Sequence, residues 1–345
     1  MSTKTEVKQD DKDVVKYVGV DDGHFSIKVV GEDGVCVSRP SRAQHGKQLA
    51  SITTFGNSEV FYTVKDNDET FTVSDYLPNP EDTRFSGFHT SALNLVLIHH
   101  ALRAAGFGGK SVKIATGLPV NAFFLGNTEL NKTLIAAKQK NLGREVTCGS
   151  RPVAKVVSNT VVAEAIAAYF DSMLDMDGKP TDLFDEFKTS TVGVIDIGGR
   201  TTDCAVILPE ADSIDMARTG SADIGVLNMY DAIHARIRAQ EDLDLPLNKI
   251  EKIVKTKKLR AGGEEIDMTE IVDDETNKLA EKILSAIYPK IGNGRDLEYI
   301  LIVGGGAYVL KNHLKKAFKH AIVPEQPEFA NARGMLKAGK YVYKK

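Results

Sequence analysis

Tyr17-Val18-Gly19-Val20-Asp21-Asp22-Gly23-His24-Phe25-Ser26-Ile27-Lys28 sits near the start of the chain. Val194-Ile195-Asp196-Ile197-Gly198-Gly199-Arg200-Thr201-Thr202-Asp203-Cys204-Ala205-Val206 repeats its logic in the second half. Each is an apolar run that ends in Asp, turns at a Gly two positions on, and continues as a second strand-compatible run. Such a pattern reads as a hairpin whose tip exposes backbone N–H groups beside a carboxylate. One Asp-Gly turn is an ordinary hairpin signal. Two in register, one opening each half, read as one device used twice.

The residue types say what the device suits. Asp21 and Asp196 can hold Mg²⁺, usually through waters because that ion dehydrates reluctantly. Gly23, Gly198 and Gly199 let backbone approach phosphate oxygens where a Cβ would interfere. Lys28 follows Asp21 by seven residues, at the hairpin base, where a cation could reach a β-phosphate. Set face to face, the two tips could enclose a triphosphate. Backbone groups at Asp22, Gly23, His24 and Phe25, and at Gly198, Gly199, Arg200 and Thr201, are the expected phosphate ligands. Gly304-Gly305-Gly306-Ala307 follows the apolar run Ile300–Val303, a strand feeding a turn and then a helix, where small residues would let an adenosine lie against backbone. Gly220–Gly225, with Asp223 and Gly225, reads as the entry to a helix that could also wall a ribose and phosphate.

Bulk properties set limits. The chain has 345 residues and a formal charge of −3. That length suits about two domains, and evenly mixed charges give no basic field for direct nucleic-acid binding. No apolar run approaches the roughly 20 residues of a membrane helix. Met1–Asp13 is polar and reads as a mobile tail. The three cysteines have no pairing or metal spacing, which suits a reducing cytoplasm. His99-His100 lies in an apolar helix, where neighbours point about 100° apart, so packing is expected rather than metal binding. Lys252–Arg260 reads as a solvated basic surface that could line a base pocket. No Ser/His/Asp arrangement and no complete Walker-type motif appears.

Strands alternate with helices in both halves, which argues for an α/β class. Strands are expected at Tyr17–Val30, Val35–Arg39, Val60–Val64, Thr70–Val73, Val112–Thr116, Val153–Val157, Thr191–Ile197, Asp203–Leu208 and Tyr299–Val303. Helices are expected at Leu93–Ala105, Lys132–Asn141, from Asn159 or Thr160 to about Met173, Asp223–Arg238, around Leu279–Ile287, and Val309–His320. The polar stretch Asp175–Thr189 is the expected crossover between domains.

Taken together, the phosphate devices at Asp21–Lys28 and Asp196–Asp203 and the turn at Val303–Ala307 resemble those of the actin, Hsp70 and sugar-kinase superfamily. Asp21-Asp22-Gly23, Ile27-Lys28, Ile98-His99-His100-Ala101-Leu102, Gly117-Leu118-Pro119-Val120 and Gly334-Met335 make the sequence most similar to the plasmid-segregation actins of the ParM/StbA family. The resemblance implies an actin-like ATPase fold: two α/β domains with mixed central sheets flanking a nucleotide cleft. It places residues 14–189 with 329–345 in one domain and 190–328 in the other. It further implies a bacterial cytoplasmic ATPase using ATP, or GTP, with Mg²⁺. That enzyme would form head-to-tail filaments with itself and meet plasmid DNA only through a DNA-binding adaptor on a centromere.

Two positions depart from the pattern. The residue aligned with the family's water-activating Glu or Gln, at a helix start after a strand, is Asn159, with Glu164 as the alternative. Asn can orient a water but cannot take its proton. Arg200 stands where the family often has Thr. The rival readings are a small-molecule kinase of the same superfamily, which lacks a visible base for a substrate hydroxyl, and a non-polymerising nucleotide-binding scaffold. A chaperone ATPase is disfavoured because no substrate-binding extension follows.

Overall fold

A computed structural model of the protein describes residues 14–48, 60–77, 79–126, 128–211 and 213–343; the expected tail over 1–13 lies outside them. The first half runs β1 (Lys16–Asp22), β2 (Ser26–Gly31), β3 (Cys36–Pro40), β4 (Ala43–His45), β5 (Val60–Val64), β6 (Glu69–Val73), α1 (Ala92–Ala104), β7 (Ser111–Leu118), α2 (Val120–Phe123), α3 (Lys132–Leu142), β8 (Val146–Thr147), β9 (Lys155–Ala163), α4 (Ile166–Met173) and α5 (Phe184–Thr189). The second half runs β10 (Val192–Ile197), β11 (Thr202–Ile207), β12 (Gly220–Ala222), α6 (Val226–Glu241), α7 (Leu247–Thr256), β13 (Lys258–Ala261), β14 (Glu264–Asp267), α8 (Thr269–Ile291), β15 (Tyr299–Val303), α9 (Ala307–Ala317), β16 (Ala321–Ile322) and α10 (Ala330–Lys337).

The sequence repeat is also a repeat of topology. The first sheet has the order β3-β2-β1-β7-β9 and the second β12-β11-β10-β15-β16. In each, the strand that ends in the key Asp is antiparallel to the next strand and parallel to a later one: β1 with β2 and β7, β10 with β11 and β15. The inner strands are apolar on both faces because helices cover them. A small sheet, β4-β6-β5-β8, extends the first half, and the β13–β14 hairpin extends the second. The fold is α/β with mixed central sheets.

Three local expectations change. The strand expected over Val153–Val157 continues to Ala163, since Val161 and Val162 favour extended backbone and pair with β7 through Ala163 opposite Leu118. Asn159 and Thr160 are therefore inside a strand, and the helix starts only at Ile166. Gly334-Met335, which by the resemblance would start the C-terminal helix, lies in the middle of α10, which begins at Ala330 after a 3₁₀ turn over Pro327–Phe329. The helix expected from Asp223 starts at Val226, because Gly225 is its N-cap.

α10 brings the chain back to the first sheet. Gly19 of β1 faces it so closely that a Cβ there would lie 1.9 Å from the Ala332 carbonyl oxygen. On its other side, a Cβ at Gly334 would lie 1.7 Å from the Ala167 carbonyl oxygen of α4. Backbones in such contact leave no room for any side chain. Asp171 of α4 fastens the pair, accepting from Arg333 Nε at 2.9–3.0 Å and Lys337 Nζ at 2.5 Å. Gly334→Val should therefore cost about 2–3 kcal/mol or more by forcing the helices apart. Equilibrium urea unfolding measures it, and a loss under 0.5 kcal/mol would contradict the contact.

Candidate functional site

The two hairpins place their key residues by one rule. In the first, Asp21 is the direct cross-strand partner of Lys28; in the second, Asp196 is that of Asp203. The chemistry of the two pairs is opposite. Lys28 Nζ donates to Asp21 Oδ2 at 3.0 Å, a nearly buried ion pair. Asp196 and Asp203 are both carboxylates with side chains packed away from water. Asp203 accepts from Val120 N at 3.1 Å and Thr201 Oγ1 at 3.1 Å, and from the Ser221 hydroxyl. Asp196 accepts from Asn331 Nδ2 of α10 at 2.6 Å.

Glu164 completes the cluster. It leaves the end of β9 through a γ-turn in which Ile166 N donates to Glu164 O at 2.7 Å, with Ala165 at φ 63°, ψ −45°. That is a costly backbone for a residue with a Cβ, and such strain concentrates at working sites. Burial, then the charges of Asp21, Asp203 and Asp196, raise the Glu164 carboxyl well above the usual carboxylate range. The same causes, burial first and then Asp203 and Asp21, push Asp196 up to about 7. Four carboxylates thus share one space with the Lys28 ammonium, whose own ionised form Asp21 and Asp196 support.

A cluster with only oxygen donors and surplus negative charge suits a hard divalent cation such as Mg²⁺. Among the described residues no three His, Cys, Asp or Glu side chains converge to hold a metal by themselves. Asp21 and Asp196 would therefore supply part of the shell and waters or phosphate oxygens the rest.

The other expected residues divide. Asp22 turns its fully buried side chain away from the cleft; Lys138 Nζ donates to both its oxygens at 2.8 Å, Asn94 Nδ2 donates at 2.9 Å, and His89 Nδ1 lies at 3.0 Å. This network holds the Asp22 carboxyl below the usual range against its burial, so only its backbone is free to meet a ligand. His24 Nδ1 lies 2.7 Å from the Thr83 carbonyl, and burial lowers its pKa to about 4. A Cβ at Gly23 would lie 3.1 Å from the Ser26 carbonyl oxygen, and Gly198 N donates to Thr201 O at 2.8 Å, closing the second turn. The α6 N-terminus spends Val226 N and Leu227 N on the carbonyls of Gly198 and Gly199, with Gly225 pressed beneath them. Arg200 lies 3.7 Å from the exposed Asp223.

In the glycine turn, Gly304 at φ 84° tucks under Asp196, Gly306 packs on Ile197, and Ala307 is buried. Only Gly305 faces open space. Asn159 does not reach the cluster. It sits mid-strand in β9, its Oδ1 accepts from Thr116 Oγ1 at 3.1 Å, and it lines a different groove. The strand's extra length moves the strand-to-helix junction to Glu164, which takes the place expected for the water-activating residue. Asp203, seven residues after Asp196 as Lys28 is after Asp21, was visible as the end of its motif. Asn331 and Lys138 carried no sequence signal.

Contacts across the mouth join the two halves. Phe25 at the first tip meets Tyr230 of α6 edge-on at 5.6 Å and packs against Gly199 of the second tip. Arg42 pairs with Glu251 at 3.0 Å, and Arg84 with Asp231. On another face, an apolar groove of about 910 Å³ is lined by Phe123, Tyr169, Phe170 and Tyr343 from the first sheet's side and Ile207 and Ile214 from the second's.

Comparison with known proteins agrees with this geometry. Residues 16–175 match the family model described as plasmid segregation protein ParM, N-terminal, and residues 194–316 match that of the archaeal actin homologue MreB-like, C-terminal. Among solved structures, the chain is similar to a non-polymerisable quadruple mutant of pCBH ParM, at 21% identity and TM-score 0.75, covering 95% of this chain and 99% of that one. It is also similar to the 15-stranded ParM filament from Clostridium botulinum, at 22% identity and TM-score 0.75 with 94% and 99% covered. The archaeal actin homologue Ta0583 in complex with ADP matches at 20% identity and TM-score 0.73, over 94% and 99%. No curated protein sequence matches. No helix among the described residues is long and apolar enough to cross a membrane.

The charge cluster makes a signed prediction. The unfolded chain protonates Asp196 only near its ordinary 3.8, the folded chain up to about 7, so folding takes up a proton between these values. The contribution of Asp196 to nucleotide-free stability therefore falls as pH rises through that window. Asp196→Asn, which removes the titration, should stabilise relative to the parent by an increment that grows from pH 5 to 7.5 and reaches a few kcal/mol. Paired thermal melts across pH would show a flat difference if the repulsion is absent.

Proposed function

We propose that the chain is an actin-like protein of the ParM/StbA kind, that it hydrolyses ATP, or GTP, in the cleft between its two sheets, and that it uses the cycle to run a filament. The observation that carries the reading is the pair of hairpins with Asp21 and Asp196 at one buried space, one from each sheet. A ligand there must bridge both. The domains of this reading are residues 14–189 with 329–345, and 190–328.

Backbone N–H groups from Gly23 to Phe25 and from Gly199 to Thr201 bind the phosphates, and Lys28 balances their charge. Asp21 and Asp196 would hold Mg²⁺, whose role when bound is to neutralise phosphate oxygens and organise the chain's carboxylates. Glu164 orients the attacking water and takes its proton, and a cation held by Asp21 and Asp196 would favour the ionised carboxyl that this step needs. Positioning and electrostatics do most of the work in such chemistry. Lobe closure links it to assembly. The apolar groove is walled by both halves, so its width follows their relative position, and a neighbouring subunit seated there would sense the nucleotide. A head-to-tail contact of this type does not close on itself and gives a filament. A DNA-binding adaptor on a plasmid centromere would hold the filament end, consistent with a chain whose net charge is −3.

Right-angle light scattering with phosphate release after adding Mg-ATP tests the reading. Scattering that rises and decays supports it; phosphate transfer only to an added sugar would instead identify a kinase, and binding without either a scaffold. Glu164→Gln should lower phosphate release about 10²–10⁴-fold while leaving nucleotide binding near the parent's, and should prolong the scattering plateau. Asp196→Ala should abolish release and turnover; release at the parent rate would remove Asp196 from the site.

A further inference from the structure

We infer that Lys138 is a positioning residue for hydrolysis, fixing the Gly117–Val120 segment through which Glu164 and Asp203 are held in register with the first hairpin. This rests on the functional reading above. Lys138 lies on α3, far from either hairpin in sequence, yet its side chain is fully buried. A lysine ammonium has three donors. Two go to the Asp22 oxygens at 2.8 Å, and the third to the Gly117 carbonyl. Asp22 already accepts from Asn94 and has His89 beside it, so charge pairing alone does not call for the third bond.

The segment it grips is a hub. Gly117 lies under the Glu164 side chain, where a Cβ would come within 2.9 Å of Cγ and Oε1. Leu118 O accepts from Glu164 N at 2.9 Å. Val120 N donates to Asp203 Oδ1 at 3.1 Å. One short stretch therefore contacts both the water-activating carboxylate and the second hairpin, and Lys138 ties it to the residue beside Asp21. A shift of this stretch moves Glu164 and Asp203 relative to the first hairpin without altering either phosphate-binding turn.

Lys138→Met alone strands a buried carboxylate and is expected to lower stability sharply. The decisive variant is Asp22→Asn with Lys138→Met, which removes both charges. It should recover most of the melting temperature and bind Mg-ADP within about threefold of the parent, yet release phosphate at least tenfold more slowly. Amide exchange in a peptide spanning residues 117–124 should speed up at least fivefold in the nucleotide-free protein. Parent-like phosphate release from the double variant would overturn the inference, leaving only a structural ion pair. Should the parent itself release no phosphate, the functional reading fails separately; unchanged exchange over 117–124 would then overturn the positioning role.

Discussion

Asp21, Asp196, Asp203 and Glu164 crowd one buried space with a single ammonium, Lys28, among them, and the surrounding structure is arranged to tolerate that repulsion. Hydrogen bonds from Asn331, Thr201, Ser221 and the Val120 amide hold individual oxygens in place. The cross-strand pair of the first hairpin, Asp21–Lys28, is neutral, and that of the second, Asp196–Asp203, is not. The asymmetry means that the second hairpin gains most from a bound cation. A site that stores repulsion until its ligand arrives exchanges stability for activity, a common arrangement in working clefts.

The neighbouring Asp22 illustrates the opposite solution. It is as buried as any of the four, yet Lys138, Asn94 and His89 satisfy it so fully that its carboxyl is held down rather than pushed up. Adjacent aspartates thus serve different ends: one faces the ligand space and one anchors the hairpin to α1 and α3. Across the mouth, Phe25–Tyr230 and the ion pairs Arg42–Glu251 and Arg84–Asp231 join the halves, the last of them exposed, whereas the sheets and α10 join them through buried apolar packing.

Much of this was legible in residues 17–28 and 194–206, because hairpins are local: apolar alternation, Asp, and Gly at fixed offset specify strand, turn and strand without help from afar. The identical strand order of the two sheets follows from the same repeat. The position of Glu164 was not legible in the same way. Its strand end is set by pairing with β7, and its turn rests on Ala165, a residue that gives no turn signal and is held at positive φ by tertiary contacts, including its N–H to Asn331. The helix start expected at Asn159 or Thr160 gave way to a strand, because the β-branched residues that follow favour extended backbone paired with β7. Asn331 and Lys138 reach the site from more than a hundred residues away, and no local pattern announces such a meeting.

The close seating of α10 against Gly19 and Ala167 bears on how the polypeptide is made. β1 leaves the ribosome long before α10, the helix that covers it. At ordinary synthesis speeds the intervening stretch takes on the order of ten seconds or more, during which the bare glycine-lined face of the nascent sheet has no native cover. Completion of the first half thus waits for the whole second half to be translated, so the two lobes mature in an order opposite to that of their first strands.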